Sequence, residues 1–220
     1  MTSPAPLDIL FEDNHVIVIN KKASEIVQGD KTGDETLPDK IKAYLKEKYQ
    51  KPGNVFCGVV HRLDRPTSGA VVFARTSKAL ERLNKQFREK ETNKIYWAIV
   101  ENKGEILSGS LEHYLKKNEK QNKSYASKVE SPGSKKAVLH YQKIASSDNY
   151  YLLEVTLETG RHHQIRCQLS TIGFPIRGDV KYGAKRPNKD ASISLHARSL
   201  EFIHPTTKEI IKLTASLPKD

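Results

Sequence analysis

Asp64 stands between two arginines in the run His61, Arg62, Leu63, Asp64, Arg65, Pro66, Thr67, Ser68 and Gly69. Opposite charges within a few ångströms favour the ionised carboxylate and lower an Asp pKa by ~1–3 units. The spacing therefore predicts an Asp64 that is charged at neutral pH and suited to act as a nucleophile or an electrostatic stabiliser. The same charges also occur as a solvated turn on a surface loop, since structural ion pairs perturb pKa values too. Context favours the chemical reading: the apolar stretches Phe56 to Val60 and Ala70 to Ala74 frame the loop as the mouth of a buried strand pair. Catalytic groups concentrate on such loops, and Pro66 and Gly69 fix the turn.

A second group of polar residues runs Thr159, Gly160, Arg161, His162, His163, Gln164, Ile165 and Arg166. Ile165, Leu169 and Ile172 give a helical stripe that stops near Gly173, which places Arg166 in the first turns of a helix. The two histidines, with His61, His196 and Asp64, raise the question of a metal site. Adjacent helical residues do not share a face, and no Cys or Glu spacing completes a ligand set, so no metal is expected. From His113 to Lys136 the chain is at its most polar, with Lys116, Lys117, Lys120, Lys123, Lys128, Lys135 and Lys136 interrupted by Tyr114 and Tyr125. Such a mixture can hold a nucleic-acid backbone and stack an unpaired base, or serve as a lysine-rich hairpin tip that keeps the chain soluble.

The elements that must position these residues are short. Leu7 to Phe11 and Val16 to Ile19 read as strands around a polar turn. Leu37, Ile41, Tyr44 and Leu45 follow Thr36 at helical spacing, and Leu80, Leu83 and Phe87 form a second stripe after Ser77. Ile95 to Val100 reads as a strand in which Tyr96 and Trp97 point to opposite faces, because the side-chain period is two. Ala137 to Ile144 and Tyr150 to Leu157 read as a hairpin joined by Ser146 to Asn149. Alone, this pattern supports a mixture of α and β.

Composition narrows the partners. Of 220 residues, 37 are Lys or Arg and 26 are Asp or Glu, a formal net charge of +11 that suits phosphate binding through counterion release. Basic chains also meet anionic membranes or simply stay soluble, so charge alone does not decide. No apolar run approaches the ~18 residues of a membrane span, and Met1 to Pro6 lacks the order of a signal peptide. Cys57 and Cys167 are too few for a disulfide framework. A cytoplasmic protein is expected.

The run from His61 to Gly69 resembles the signature of the RluA-type RNA pseudouridine synthases, His-Arg-Leu-Asp, two spacers, then Thr-Ser-Gly. Lys94, Ile95 and Tyr96 resemble the family's Lys-x-Tyr motif, and Gly160 to Arg166 its Gly-Arg-x-His-Gln-Ile-Arg, with His162 where Thr is usual. Gly178, Asp179, Tyr182 and Gly183 resemble a Gly-Asp-x-x-Tyr-Gly turn, and Leu195 to Pro205 a late strand, both chiefly structural in character. Lys21, Lys22, Ala23 and Ser24 stand where the family has Lys-Pro-x-Gly, so only a phosphate contact by Lys21 is expected there. The resemblance covers Leu7 to about Leu217. The first strands begin almost at Met1, so a single catalytic domain over 1–220, with two close-packed lobes and no separate N-terminal RNA-binding domain, is expected.

What the resemblance implies is an α+β fold, a mixed and largely antiparallel sheet with flanking helices and a central cleft. It implies an isomerase acting on uridine in transfer RNA or ribosomal RNA, without cofactor, as a monomer. It gives Asp64, Tyr96 and Arg166 the catalytic roles, Arg166 pairing with the aspartate and Tyr96 lying against the base. Arg62, Arg65, Lys21, Arg161, Lys116 and Lys117 are the expected RNA contacts, Arg62 filling the space that a flipped base vacates. The rival from another class is a catalytically silent RNA-binding or RNA-chaperone module on the same scaffold. A metal-dependent phosphodiesterase using His61, Asp64 and the His162–His163 pair is disfavoured by spacing.

Overall fold

A computed structural model describes residues 7–29 and 33–218, so Met1 to Pro6 lie outside the described residues. The chain divides into two compact units, Met1–Asn93 with Ala197–Asp220, and Lys94–His196. The first holds β1 (Ile9–Glu12), β2 (Val16–Lys21), α1 (Leu37–Lys48), β3 (Gly58–Val59), β4 (Ser68–Ala74) and α2 (Ser77–Glu89). The second holds β5 (Asn93–Glu101), β6 (Ser108–Asn118), β7 (Lys123–Ser127), β8 (Lys135–Ser146), β9 (Tyr150–Leu157) and α3 (Gln164–Thr171). The chain then returns through β10 (Leu195–Ile203) and β11 (Ile210–Thr214) to the first unit. The fold is α+β with antiparallel strand pairs, as the resemblance implies, and three α-helices among the described residues. No helix among the described residues is long and apolar enough to cross a membrane.

In the first unit the strands lie in the order β1, β2, β4, β10, with β11 beside β10 and β3 beside β4. Every residue of β2 and β4 is buried, because both strands are central and covered on both faces. Val16, Val18, Val72, Leu83, Leu200 and Phe202 make one core, each fully buried aliphatic side chain contributing roughly 1.5–3 kcal/mol. Helix α1 starts where Thr36 accepts a hydrogen bond from the Asp39 N–H, and it buries Leu37, Ile41 and Leu45. Helix α2 begins at Ser77 and is capped by Thr76, and it buries Gln86, whose amide pairs with both backbone groups of Ile203 at 2.8 and 3.0 Å. Gly69 has φ +115°, and a Cβ there would meet the Ala197 carbonyl oxygen at 2.4 Å. Only glycine lets β4 and β10 approach so closely at this point.

In the second unit the order is β5, β9, β8, β6, β7, each pair antiparallel. Leu115, Ala137, Cys167 and Tyr182 form the cluster that joins the sheet to α3. The lysine-rich segment is not a loose tip: β6 and β7 pair from Tyr114 opposite Ser127 to Asn118 opposite Lys123.

Candidate active site

The chemistry-bearing loop of the first unit is set by the β3–β4 pair, where Gly58 faces Ala74 and Val59 faces Phe73. The Thr67 N–H donates to the Asp64 carbonyl oxygen at 3.0 Å and closes the turn. Leu63 is buried beneath it, which leaves Asp64 half-buried. His61 accepts the Val72 N–H on Nε2 at 3.1 Å and stacks on Phe87, with ring centroids 4.7 Å apart. Its ring thus fills the place of a strand residue, and it is neutral with the proton on Nδ1. Arg62 donates to Gln28 Oε1 at 2.7 Å, and Arg65 to Asp34 Oδ2 at 2.6 Å. Both guanidinium groups lie toward the exposed side of the loop, where the phosphates of a ligand can compete for them.

Lys21, the last residue of β2, runs under this loop. Only 1% of it is exposed, and its Nζ donates to the carbonyl oxygens of Lys22 at 2.9 Å, Arg65 at 3.2 Å and Thr67 at 2.7 Å. Those three bonds use every proton of an ammonium group. Lys21 is therefore a clamp that holds the Asp64 loop, and the phosphate contact expected from the sequence does not fit its position. Burial lowers its pKa from 10.5 to about 8, with the carboxylates of Glu25 and Asp64 acting against the shift and Arg65 adding to it.

Lys21→Met retains the stem and strands the three carbonyl oxygens, so it is expected to cost about 1–3 kcal/mol near neutral pH. The folded pKa lies below the unfolded one, so between about 8 and 10.5 the unfolded chain binds more protons and wild-type stability rises with pH. The methionine variant lacks that rise. Urea unfolding of both proteins across this window checks it, and parallel pH profiles would contradict the assignment.

In the second unit Tyr96 and Trp97 do point to opposite faces of β5. Tyr96 is buried, and Trp97 donates from Nε1 to Glu154 Oε2 at 3.3 Å. Arg166 is the third residue of α3 and is 5% exposed. Its Nε and Nη2 donate to the two carboxylate oxygens of Asp179 at 2.7 and 2.9 Å, and the Tyr182 ring lies 5.1 Å from the guanidinium carbon. A two-point carboxylate grip fixes the plane of the guanidinium as well as its place. The turn before α3 is equally constrained. His163 sits at φ 53°, a left-handed conformation that costs a non-glycine residue ~1–3 kcal/mol. The Gln164 side chain offsets this by accepting from Thr159 and the Arg161 N–H at 2.8 and 3.0 Å and donating to Val138 at 3.0 Å. Arg161 donates from Nε to the Lys136 carbonyl oxygen at 2.9 Å and lies on the exposed side.

His162, which departs from the family pattern, joins α3's entry to the β6–β7 hairpin. Its Nδ1 meets Ser124 Oγ at 2.9 Å and its Nε2 meets Asn122 Oδ1 at 3.1 Å, while its ring stacks on His163 at 3.8 Å. Lys116 and Lys117, adjacent on β6, face opposite sides of the sheet. Lys116 lies opposite Tyr125, whereas Lys117 lies opposite Ser124 and pairs with Glu119 at 2.6 Å. The structure thus gathers Asp64, Arg62, Arg65 and Lys21 on one loop and its support, and Arg161 and Arg166 on the other unit's helix entry.

Two residues of this arrangement escaped sequence reasoning in their roles. Asp179 reads in the sequence as part of a structural turn, yet it is a carboxylate that grips Arg166. The signal available was Asp179 itself: an acidic residue, if buried, demands a cation. Lys21 gives the converse signal, a lysine ending a strand that opens with the apolar run Val16 to Ile19.

Residues 15–171 match the family described as RNA pseudouridylate synthase. An uncharacterized RNA pseudouridine synthase of Bacillus subtilis is 38% identical over 221 residues, covering 97% of this chain and 70% of the relative. The ribosomal large subunit pseudouridine synthase D of Zymomonas mobilis is 35% identical over 225 residues, covering 98% of this chain and 70% of its own. Among solved structures, human RNA pseudouridylate synthase domain containing 4 superposes with a TM-score of 0.80 at 25% identity, covering 96% of this chain and 88% of that one. Motifs, fold and relatives agree: the chain belongs to the RNA pseudouridylate synthase family of isomerases.

Proposed function

We propose that the chain isomerises a uridine of ribosomal RNA to pseudouridine with Asp64 as the catalytic carboxylate, and that residues 1–220 act as one catalytic domain. The observation that carries this reading is the clamped loop: a half-buried carboxylate on a turn held by a buried ammonium and flanked by two outward guanidinium groups. Ribosomal RNA is favoured over transfer RNA because relatives over 30% identical are named for the large ribosomal subunit. The two cysteines are free thiols, in keeping with a reducing cytoplasm.

The reaction breaks the bond from uracil N1 to C1′ of the ribose, turns the base in place and joins C5 to C1′. A proton leaves C5 and one ends on N1, so composition is unchanged and neither oxidant nor energy source is consumed. Asp64 either attacks the nucleoside or removes a ribose proton, roles that both need the ionised carboxylate. The uridine must leave its stack to reach it, at a cost of a few kcal/mol, and Arg62 is placed on the loop's exposed side to occupy the gap. Tyr96 packs against the captured ring and assists loss of the C5 proton, and Arg166 supplies a fixed positive charge.

The test follows the displaced proton. Ribosomal RNA transcribed with uridine tritiated at C5 is expected to release tritium to water on incubation with the protein, at one or a few sites mapped by chemical derivatisation of pseudouridine. Release from labelled transfer RNA alone would move the substrate, and release from neither would overturn the reading.

A further inference from the structure

The outer face of the β6–β7 hairpin carries an aromatic ring with no structural duty. Tyr125 is 48% exposed, and its hydroxyl donates to Gln121 Oε1 at 2.5 Å. Directly across the strand pair stands Lys116, and the ammonium of Lys123 lies 5.5 Å from the ring centroid. Neighbouring lysines are spent elsewhere: Lys117 on Glu119 at 2.6 Å, Lys136 on Glu112 at 2.8 Å. Lys116 and Lys123 form no ion pair among the described residues. An exposed ring with Lys116 opposite it in the strand register, and with the Lys123 ammonium also lying 5.0 Å from the Tyr182 ring, has the chemistry to stack a base and neutralise a neighbouring phosphate.

The seat is also rigid. The Ser124 N–H donates to the Tyr182 hydroxyl at 2.8 Å, Lys181 donates to the Gln121 and Asn122 carbonyl oxygens at 3.4 and 3.2 Å, and His162 bridges Asn122 and Ser124. Bracing the turn from behind holds the ring before any ligand arrives, so little ordering is left for binding to supply. Ser124 faces α3, to which its carbonyl oxygen is bonded by Cys167, so Tyr125, one residue on, faces away from the helix that bears Arg166. A base stacked on Tyr125 is thus a different base from one held beside Arg166.

We infer that Tyr125, flanked by Lys116 and Lys123, is a docking seat for an unpaired base of the RNA substrate other than the uridine that reacts. This inference rests on RNA being the substrate. The experiment measures tritium release and filter binding of the same ribosomal transcript for wild type, Tyr125→Phe, Tyr125→Ala and Lys116→Ala. Tyr125→Ala is expected to weaken binding and raise KM roughly 5- to 100-fold, the size of one lost base–aromatic stack, with a much smaller change in kcat. Tyr125→Phe keeps the ring and is expected to behave as wild type. Lys116→Ala is expected to flatten the salt dependence of binding by about one phosphate contact. Unchanged binding in Tyr125→Ala, or equal loss in Tyr125→Phe, overturns the seat. If wild type binds the transcript but releases no tritium, the catalytic reading fails while the binding comparison still decides this one. The fold is checked for each variant by circular dichroism.

Discussion

Asp64→Asn is expected to lower pseudouridine formation by on the order of 10³–10⁴-fold or more, because the amide has neither the charge nor the basicity that either route requires. The substitution is nearly isosteric, and the bond that closes the loop uses the Asp64 backbone carbonyl, which Asn also supplies. The clamp from Lys21 reaches the backbone of Arg65 and Thr67, so it too survives. Folding and RNA affinity are therefore expected to stay close to wild type, and removal of a negative charge near phosphates acts, if anything, to tighten binding. Single-turnover tritium release at saturating enzyme measures the chemistry apart from binding. Full release by Asp64→Asn would remove the aspartate from the mechanism. Wild-type binding without release in any protein would instead return the chain to the silent RNA-binding module.

Much of the frame is legible in the residues themselves. Leu37, Ile41 and Leu45 repeat at helical spacing behind a Thr cap, and α1 forms there. Alternation in Ile95 to Val100 separates Tyr96 from Trp97, and the strand does so. The β6–β7 pair was harder to read, because only Leu111, His113 and Leu115 of β6 face inward as buried residues and a histidine interrupts the apolar period. Lysine content then masks a strand whose outward face is simply wet.

The site was legible in its motifs but not in its supports. Lys21 reads as a phosphate contact after a strand, and only the depth of β2, a central strand buried along its whole length, turns it inward under the loop. Asp179 lies thirteen positions from Arg166 across a turn, and no period links the two. Supports of this kind arise from tertiary placement, which local patterning does not encode.

Asp179→Asn therefore tests the part of the site that only the structure reveals. The Arg166 guanidinium presents two parallel N–H donors to two carboxylate oxygens, with Arg166 and Asp179 side chains 6% and 1% exposed. Asparagine offers one oxygen and sets its NH₂ against the other donor, so the buried guanidinium loses the negative charge of Asp179 and gains a repulsive contact. Breaking such a pair from one side is expected to cost ~3–5 kcal/mol, read as a lower urea midpoint, and to reduce activity with it. The double variant Arg166→Met, Asp179→Leu separates the two effects, since replacing both partners by apolar groups of similar volume is often neutral for stability. It is expected to recover most of the lost stability and none of the activity. A midpoint unchanged in Asp179→Asn would show that the pair does not hold the fold, and activity restored with stability in the double variant would show that the grip on Arg166 serves packing alone.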